Sequence, residues 1–126
     1  VKPVRVDDKR CRAILIQPGT IGQVDDIEDT LQAFRRVLGG HVEHIGAADG
    51  RISFGVNENG KLENMPVNRL AHRLMVDARS ADGRRDTLNG PVIITGGPTR
   101  HGDNTPVPRW MVKQWRRLAY SAIDWS

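Results

Sequence analysis

The stretch HVEHIGAADGRISFGVNE, residues 41–58, constrains this chain more than any other. Asp49-Gly50 is a pair that tolerates the positive φ of a tight turn, and Ile52, Phe54 and Val56 then alternate with Arg51, Ser53 and Gly55. A period of two with a turn at its head is a β-hairpin, so antiparallel pairing is the starting point of the fold. Two short apolar runs supply further strands: RAILIQP, 12–18, closed by proline, and PVIITGG, 91–97, closed by glycine. Asn59-Gly60 signals a second turn into a short strand, KLENM, which Pro66 ends.

Helices are expected in three places. Asp25 and Glu28 form a capping-box-like pair, and Ile27, Leu31, Phe34 and Leu38 follow at i, i+4, i+7 and i+11 until Gly39-Gly40 ends the run. After Pro66, a second helix places Val67, Leu70, Ala71, Leu74 and Ala78 on one face. A third runs from about Arg109 to Ile123 with Met111, Trp115, Leu118 and Ala122 inward. The order β-α-β-β-β-α-β-α predicts an α+β domain, a mainly antiparallel four- to five-stranded sheet with helices packed on one face. The first strand–helix–strand unit is the one place for a parallel pairing. Residues 1–11 read as a flexible basic arm, and 12–126 as a single domain, which suits a length of 126 residues. The loop 98–108 carries three prolines, and loops of that length are often functional or mobile.

No apolar run approaches the ~20 residues that span a bilayer, and no signal-like apolar segment follows the basic first residues. A cytoplasmic protein with no membrane contact is expected. Cys11 is the single cysteine, so neither an internal disulfide nor a cysteine-rich zinc site can form. Charge is uneven: residues 66–126 hold ten basic side chains against five acidic, a balance that suits phosphate-bearing partners or simply a solvated surface.

Catalytic signatures are missing. GGPTRHGD lacks the lysine and hydroxyl residue of a phosphate loop, and no serine sits in a nucleophile elbow. His41, Glu43 and His44 cannot all converge from one strand, because successive side chains alternate faces, so no metal site is expected. Cys11 between Arg10 and Arg12 has cations that would lower its pKa. Glu43, Glu58 and His101 are the best candidates for a scattered active site, but a non-enzymatic protein without cofactor is the leading expectation.

The segment GVNENGKLENMPVNRL, 55–70, holds four asparagines. Asn59 before Gly60 is accounted for by a turn and Asn68 by a helix cap. With Asn57, Glu58, Lys61 and Arg69, these residues gather at a helix start, where free N–H groups favour an anion. The first expectation is therefore an anionic, nucleotide-like ligand held by Asn57, Glu58, Lys61, Asn68 and Arg69. A Glu58–Arg69 ion pair is the competing structural explanation. The alternative is an interaction module. Arg109, Lys113, Arg116 and Arg117 form a basic stripe interleaved with Trp110, suited to nucleic acid or an acidic host protein. Trp110 and Trp125 lie off the inward face, which also makes the tail helix the expected seam of a homodimer, unless Trp125 folds back into the core.

QPG after the first strand, LQAFRRVLGGHVEHI, VNENGKLENMPVNR and NGPVIITGG together resemble the uncharacterised domain-of-unknown-function family 3846 over roughly residues 12–97. The resemblance implies that Gly39, Gly40, Asn57, Glu58, Gly60, Lys61, Asn68, Arg69 and Gly90 occupy the family's motif positions. It also implies a bacteriophage or mobile-element accessory protein that modulates a host process, and it brings no activity. The tail after Pro98 lies outside it.

Overall fold

The computed structural model describes residues 9–83 and 86–126. One sheet holds β1 (Arg10–Ile16), β2 (Gln23–Glu28), β3 (Val42–Ala47), β4 (Ile52–Asn57) and β5 (Val92–Gly96). Among the described residues three helices accompany it, α1 (Leu31–Leu38), α2 (Arg69–Ala78) and α3 (Arg109–Ala119). The strands lie in the order β2-β1-β5-β4-β3 and every neighbouring pair is antiparallel. The fold is thus α+β, as expected, but no parallel pairing forms among the described residues, because β5 and β4 separate β1 from β3. None of the described helices is long and apolar enough to cross a membrane.

Two apolar layers lie on opposite faces of the sheet. Ile14, Ile16, Phe54, Val92 and Ile94 pack with Leu70, Leu74, Met75, Met111, Trp115 and Leu118 of α2 and α3. Ala13 and Ile93, the alternate positions of β1 and β5, meet Phe34 and Leu38 of α1. So α2 and α3 share a face while α1 covers the other. That sandwiching is why Ser53, Gly55 and Asn57, the polar and small positions of β4, are buried along with Ile52, Phe54 and Val56. Phe34 lies directly over Gly55.

The hairpin of β3 and β4 forms as the alternation predicts, with Ala48, Asp49 and Gly50 all at positive φ in its turn. The helix expected from Asp25 does not begin there. Residues 23–28 are the edge strand β2, and α1 starts at Leu31 with Thr30 as its cap, whose Oγ1 accepts from the Ala33 N–H at 3.1 Å. Val24 packs on the α2/α3 layer and Ile27 on the α1 layer. Ile27 thus joined the apolar spacing of α1 by chance of a two-sided strand. Gly39 ends α1 in the left-handed conformation, as expected. KLENM forms turns rather than a strand, closed by the Met65 N–H on Gly60 O at 2.9 Å, and Leu62 is 83% exposed. With no alternating apolar face to bury, that segment has nothing to pair for. Asn59 and Gly60 do not take positive φ; Asn64 does, at 55°.

Of the expected arm, residues 1–8 lie outside the described residues, and Arg10 and Cys11 belong to β1. The loop 98–108 is fastened at both ends. Asp29 accepts from Asn104 N and Nδ2 at 3.0 and 2.8 Å, Thr105 Oγ1 donates to Gly97 O at 2.6 Å, and Lys9 pairs with Asp103 at 2.9 Å. A Cβ at Gly97 would run into the Gly50 carbonyl, so the start of this loop lies flat on the β3–β4 turn. The Val107 N–H then donates to Arg12 O at 2.9 Å, which sets α3 beside β1. The helix stops at Ala119, leaving Ala122 exposed, and Trp125 returns to the core with its Nε1 donating to Leu118 O at 2.9 Å.

Candidate functional site

The polar segment before α2 is built largely for itself. Asn57 is buried, its Nδ2 donating to Leu38 O at 3.1 Å and its Oδ1 accepting from the Asn59 N–H at 2.8 Å. Asn68 is 1% exposed and spends its whole amide internally. Its Nδ2 donates to Ile16 O at 2.8 Å and Gly90 O at 3.0 Å, while Oδ1 caps α2 by accepting from the Ala71 N–H at 3.3 Å. Arg69 turns to the chain end, donating to Asp124 O at 2.8 Å, so no Glu58–Arg69 pair forms. Lys61 pairs with Asp86 at 3.5 Å. Asn57, Glu58 and Lys61 do line one cleft, with Glu43, Thr87 and Asn89, but its volume is about 100 Å³. Small-molecule pockets run from roughly 300 Å³ upward. Asn68 and Arg69 do not line it.

The three catalytic candidates do not all come together. Glu43 and Glu58 line that same small cleft, whereas His101 is exposed in the loop before α3. His44 Nδ1 stands 3.3 Å from Ser53 Oγ, and His41 lies beside Arg35 at 3.4 Å. Among the described residues no group of three or more His, Cys, Asp or Glu is placed to hold a metal ion. Cys11 runs opposite to expectation: burial, with Asp29 and Asp26 nearby, pushes its thiol up to about 11. Arg10 and Arg12 leave β1 on the other face and do not offset this.

The arrangement left free for a partner lies along α3. Arg12, Val107, Arg109, Val112, Lys113 and Arg116 line an open cleft of about 220 Å³. Buried Val107 and Val112 belong to its apolar floor, and the four cations are exposed. Arg109, Lys113 and Arg116 follow at i, i+4 and i+7, a span of about 10 Å along a helix. Among the described residues none of the four side chains has a hydrogen bond or ion pair. Several cations elsewhere are engaged: Arg10 on Asp26 O, Arg73 on Asp77, Arg117 on Gln114 Oε1. Asp26 stands in register with Arg12 on β2, yet no ion pair joins them. Sequence spacing pointed to Arg109, Lys113, Arg116 and Arg117 but missed Arg12, which only the contact between β1 and the start of α3 brings in.

Around the helix from this cleft lies a second one, of about 300 Å³, lined by Leu74, Asp77, Ala78, Trp110, Met111 and Gln114. Trp115 and Trp125 are in the core, but Trp110 is 42% exposed, with the Arg51 guanidinium 5.7 Å from its ring centroid. Asp77 at the rim accepts from Arg73 Nε and from Gln114 Nε2, at 3.1 and 3.2 Å.

The chain matches the family model described as Domain of unknown function (DUF3846) over residues 11–119. The match takes in the loop 98–108 and all of α3, so the tail helix lies within the family's span and not beyond it, as the resemblance had implied. No curated protein and no solved structure matches the chain.

Proposed function

The chain belongs to the family of the domain of unknown function DUF3846, which passes on no activity, and we propose from the site itself that it is a nucleic-acid-binding protein. One observation carries this reading: four unpartnered cations, drawn from β1 and α3, ring a single cleft with an apolar floor. Such cations, three of them arginines with planar forks, suit phosphate oxygens, and their binding energy comes from releasing counterions. At about 220 Å³ the cleft is below the roughly 300 Å³ at which small-molecule pockets begin, and it is open enough for a backbone to cross. An accessory protein of a phage or mobile element would use this surface to occupy nucleic acid during a host process; only the family resemblance supports that step.

The small-ligand reading centred on Asn57, Glu58, Lys61, Asn68 and Arg69 has less support, because Asn57, Asn68 and Arg69 are held by internal hydrogen bonds. An acidic protein is the rival occupant of the basic cleft. Anisotropy of labelled oligonucleotides, with poly-glutamate as competitor, tests both. Nucleic acid should bind with marked salt sensitivity, and Lys113→Glu with Arg116→Glu should abolish it. Poly-glutamate competing as well as unlabelled oligonucleotide would favour the acidic protein, and no binding at low salt would end the proposal.

A further inference from the structure

Resting on that reading, we infer that the preferred nucleic acid is single-stranded and that one of its bases enters the cleft beside Trp110 while the adjoining phosphates lie on the cations. The two clefts differ in chemistry in the way such a division needs. Every charged residue lining the cleft of Arg12, Arg109, Lys113 and Arg116 is positive. The second cleft is lined by Leu74, Ala78 and Met111 beside Trp110, and its one charged lining residue is Asp77, which Arg73 pairs with at 3.1 Å. The Asp77 carboxylate, its charge offset by Arg73, offers a phosphate no cation and can accept from the exocyclic amino group of a base. Gln114 adds an amide at the same rim.

The layout around α3 supports the same division. At about 100° per residue, Trp110 lies about 60° around the helix from Lys113, and Gln114 about 100°. Arg117 falls between Lys113 and Trp110, held there by its bonds to Gln114 Oε1 at 3.3 and 2.9 Å. A strand crossing α3 therefore passes from a purely cationic rim, over Arg117, to a half-exposed indole backed by the Arg51 guanidinium. Indole and guanidinium planes both stack on bases without regard to sequence. A duplex keeps its bases stacked on one another and can use the cations only, so it forfeits the second cleft unless a base is unstacked.

Trp110 is also the reporter, since Trp115 and Trp125 are only 4% and 8% exposed. Wild type and Trp110→Leu are titrated with a short oligodeoxycytidine, its ribose counterpart, a duplex of equal length and heparin, following both indole emission and affinity. The single strands should quench emission, and heparin should not. Trp110→Leu should weaken single-strand binding by about 5- to 150-fold and leave heparin binding unchanged. The deoxy and ribo arms show which sugar is taken; quenching by either supports the inference. If heparin, duplex and single strands bind alike with unchanged emission, the basic cleft stands and the base cleft is overturned. If none binds, the reading beneath it falls as well. The wild-type comparison of single strand with duplex decides the matter even if the leucine variant folds poorly.

Discussion

Replacing Asn68 separates a ligand-binding asparagine from a structural one. The Asn68→Ala chain loses the cap on α2, a change that typically costs about 1 kcal/mol. It also strips a donor from the carbonyls of Ile16 and Gly90, at about 1 kcal/mol or more each where the carbonyl is left unsatisfied in a buried place. The sum is about 3–5 kcal/mol, a large share of the 5–15 kcal/mol typical of a whole domain. Asn68→Asp keeps the acceptor for the Ala71 N–H but turns a carboxylate toward two carbonyls, so it should be no milder. Urea denaturation followed by circular dichroism measures the loss. With m near 2 kcal/mol/M, the midpoint should fall by roughly 2 M. A loss below about 1 kcal/mol at unchanged m, with nucleotide binding impaired, would refute the argument that this amide is spent on the fold.

Three further outcomes are expected. Cys11, with its thiol raised to about 11 and its Sγ 3.2 Å from Thr105 O, should resist a thiol reagent at pH 8 in the folded chain and react at once in denaturant. Burial, with Lys61 adding to it, holds His72 below its ordinary value, so as pH falls through about 6.5 the unfolded chain takes the proton first. Stability is then full above that pH and declines toward the lower folded value; His72→Leu, which removes the unpartnered buried Nδ1, should flatten this slope and raise the melting temperature. Asp26→Asn removes the acid in register with Arg12 and should tighten nucleic-acid binding without changing the fold, as titration at fixed salt would show.

What the sequence disclosed follows from how local each signal was. The β3–β4 hairpin was legible because its turn and its alternation lie within eighteen residues. The inward faces of α2 and α3 were legible because Leu70, Leu74, Met111, Trp115 and Leu118 keep helical spacing. Residues 23–28 were misread because Val24 and Ile27 are buried on different faces of an edge strand, and the three-residue step between them mimics a helix. The asparagines could not be sorted from spacing, since the carbonyls that consume Asn57 and Asn68 belong to Leu38, Ile16 and Gly90. The site was half legible. The stripe on α3 is a local pattern, but Arg12 is 97 residues from Arg109, and the contact of β1 with the α3 start is a tertiary fact.

The central claim is that Arg12 and the α3 cations form one phosphate-binding surface. Its most direct measurement is the slope of log K against log salt for a single-stranded oligonucleotide, in wild type, Arg12→Ala and Arg116→Ala. Four phosphate contacts predict a slope of about −3, and each variant should lower its magnitude by about 0.7. Arg12→Ala and Arg116→Ala changing the slope alike is the predicted result. A slope unmoved by Arg12→Ala, while Arg116→Ala reduces it, would contradict the shared surface and leave only a basic helix.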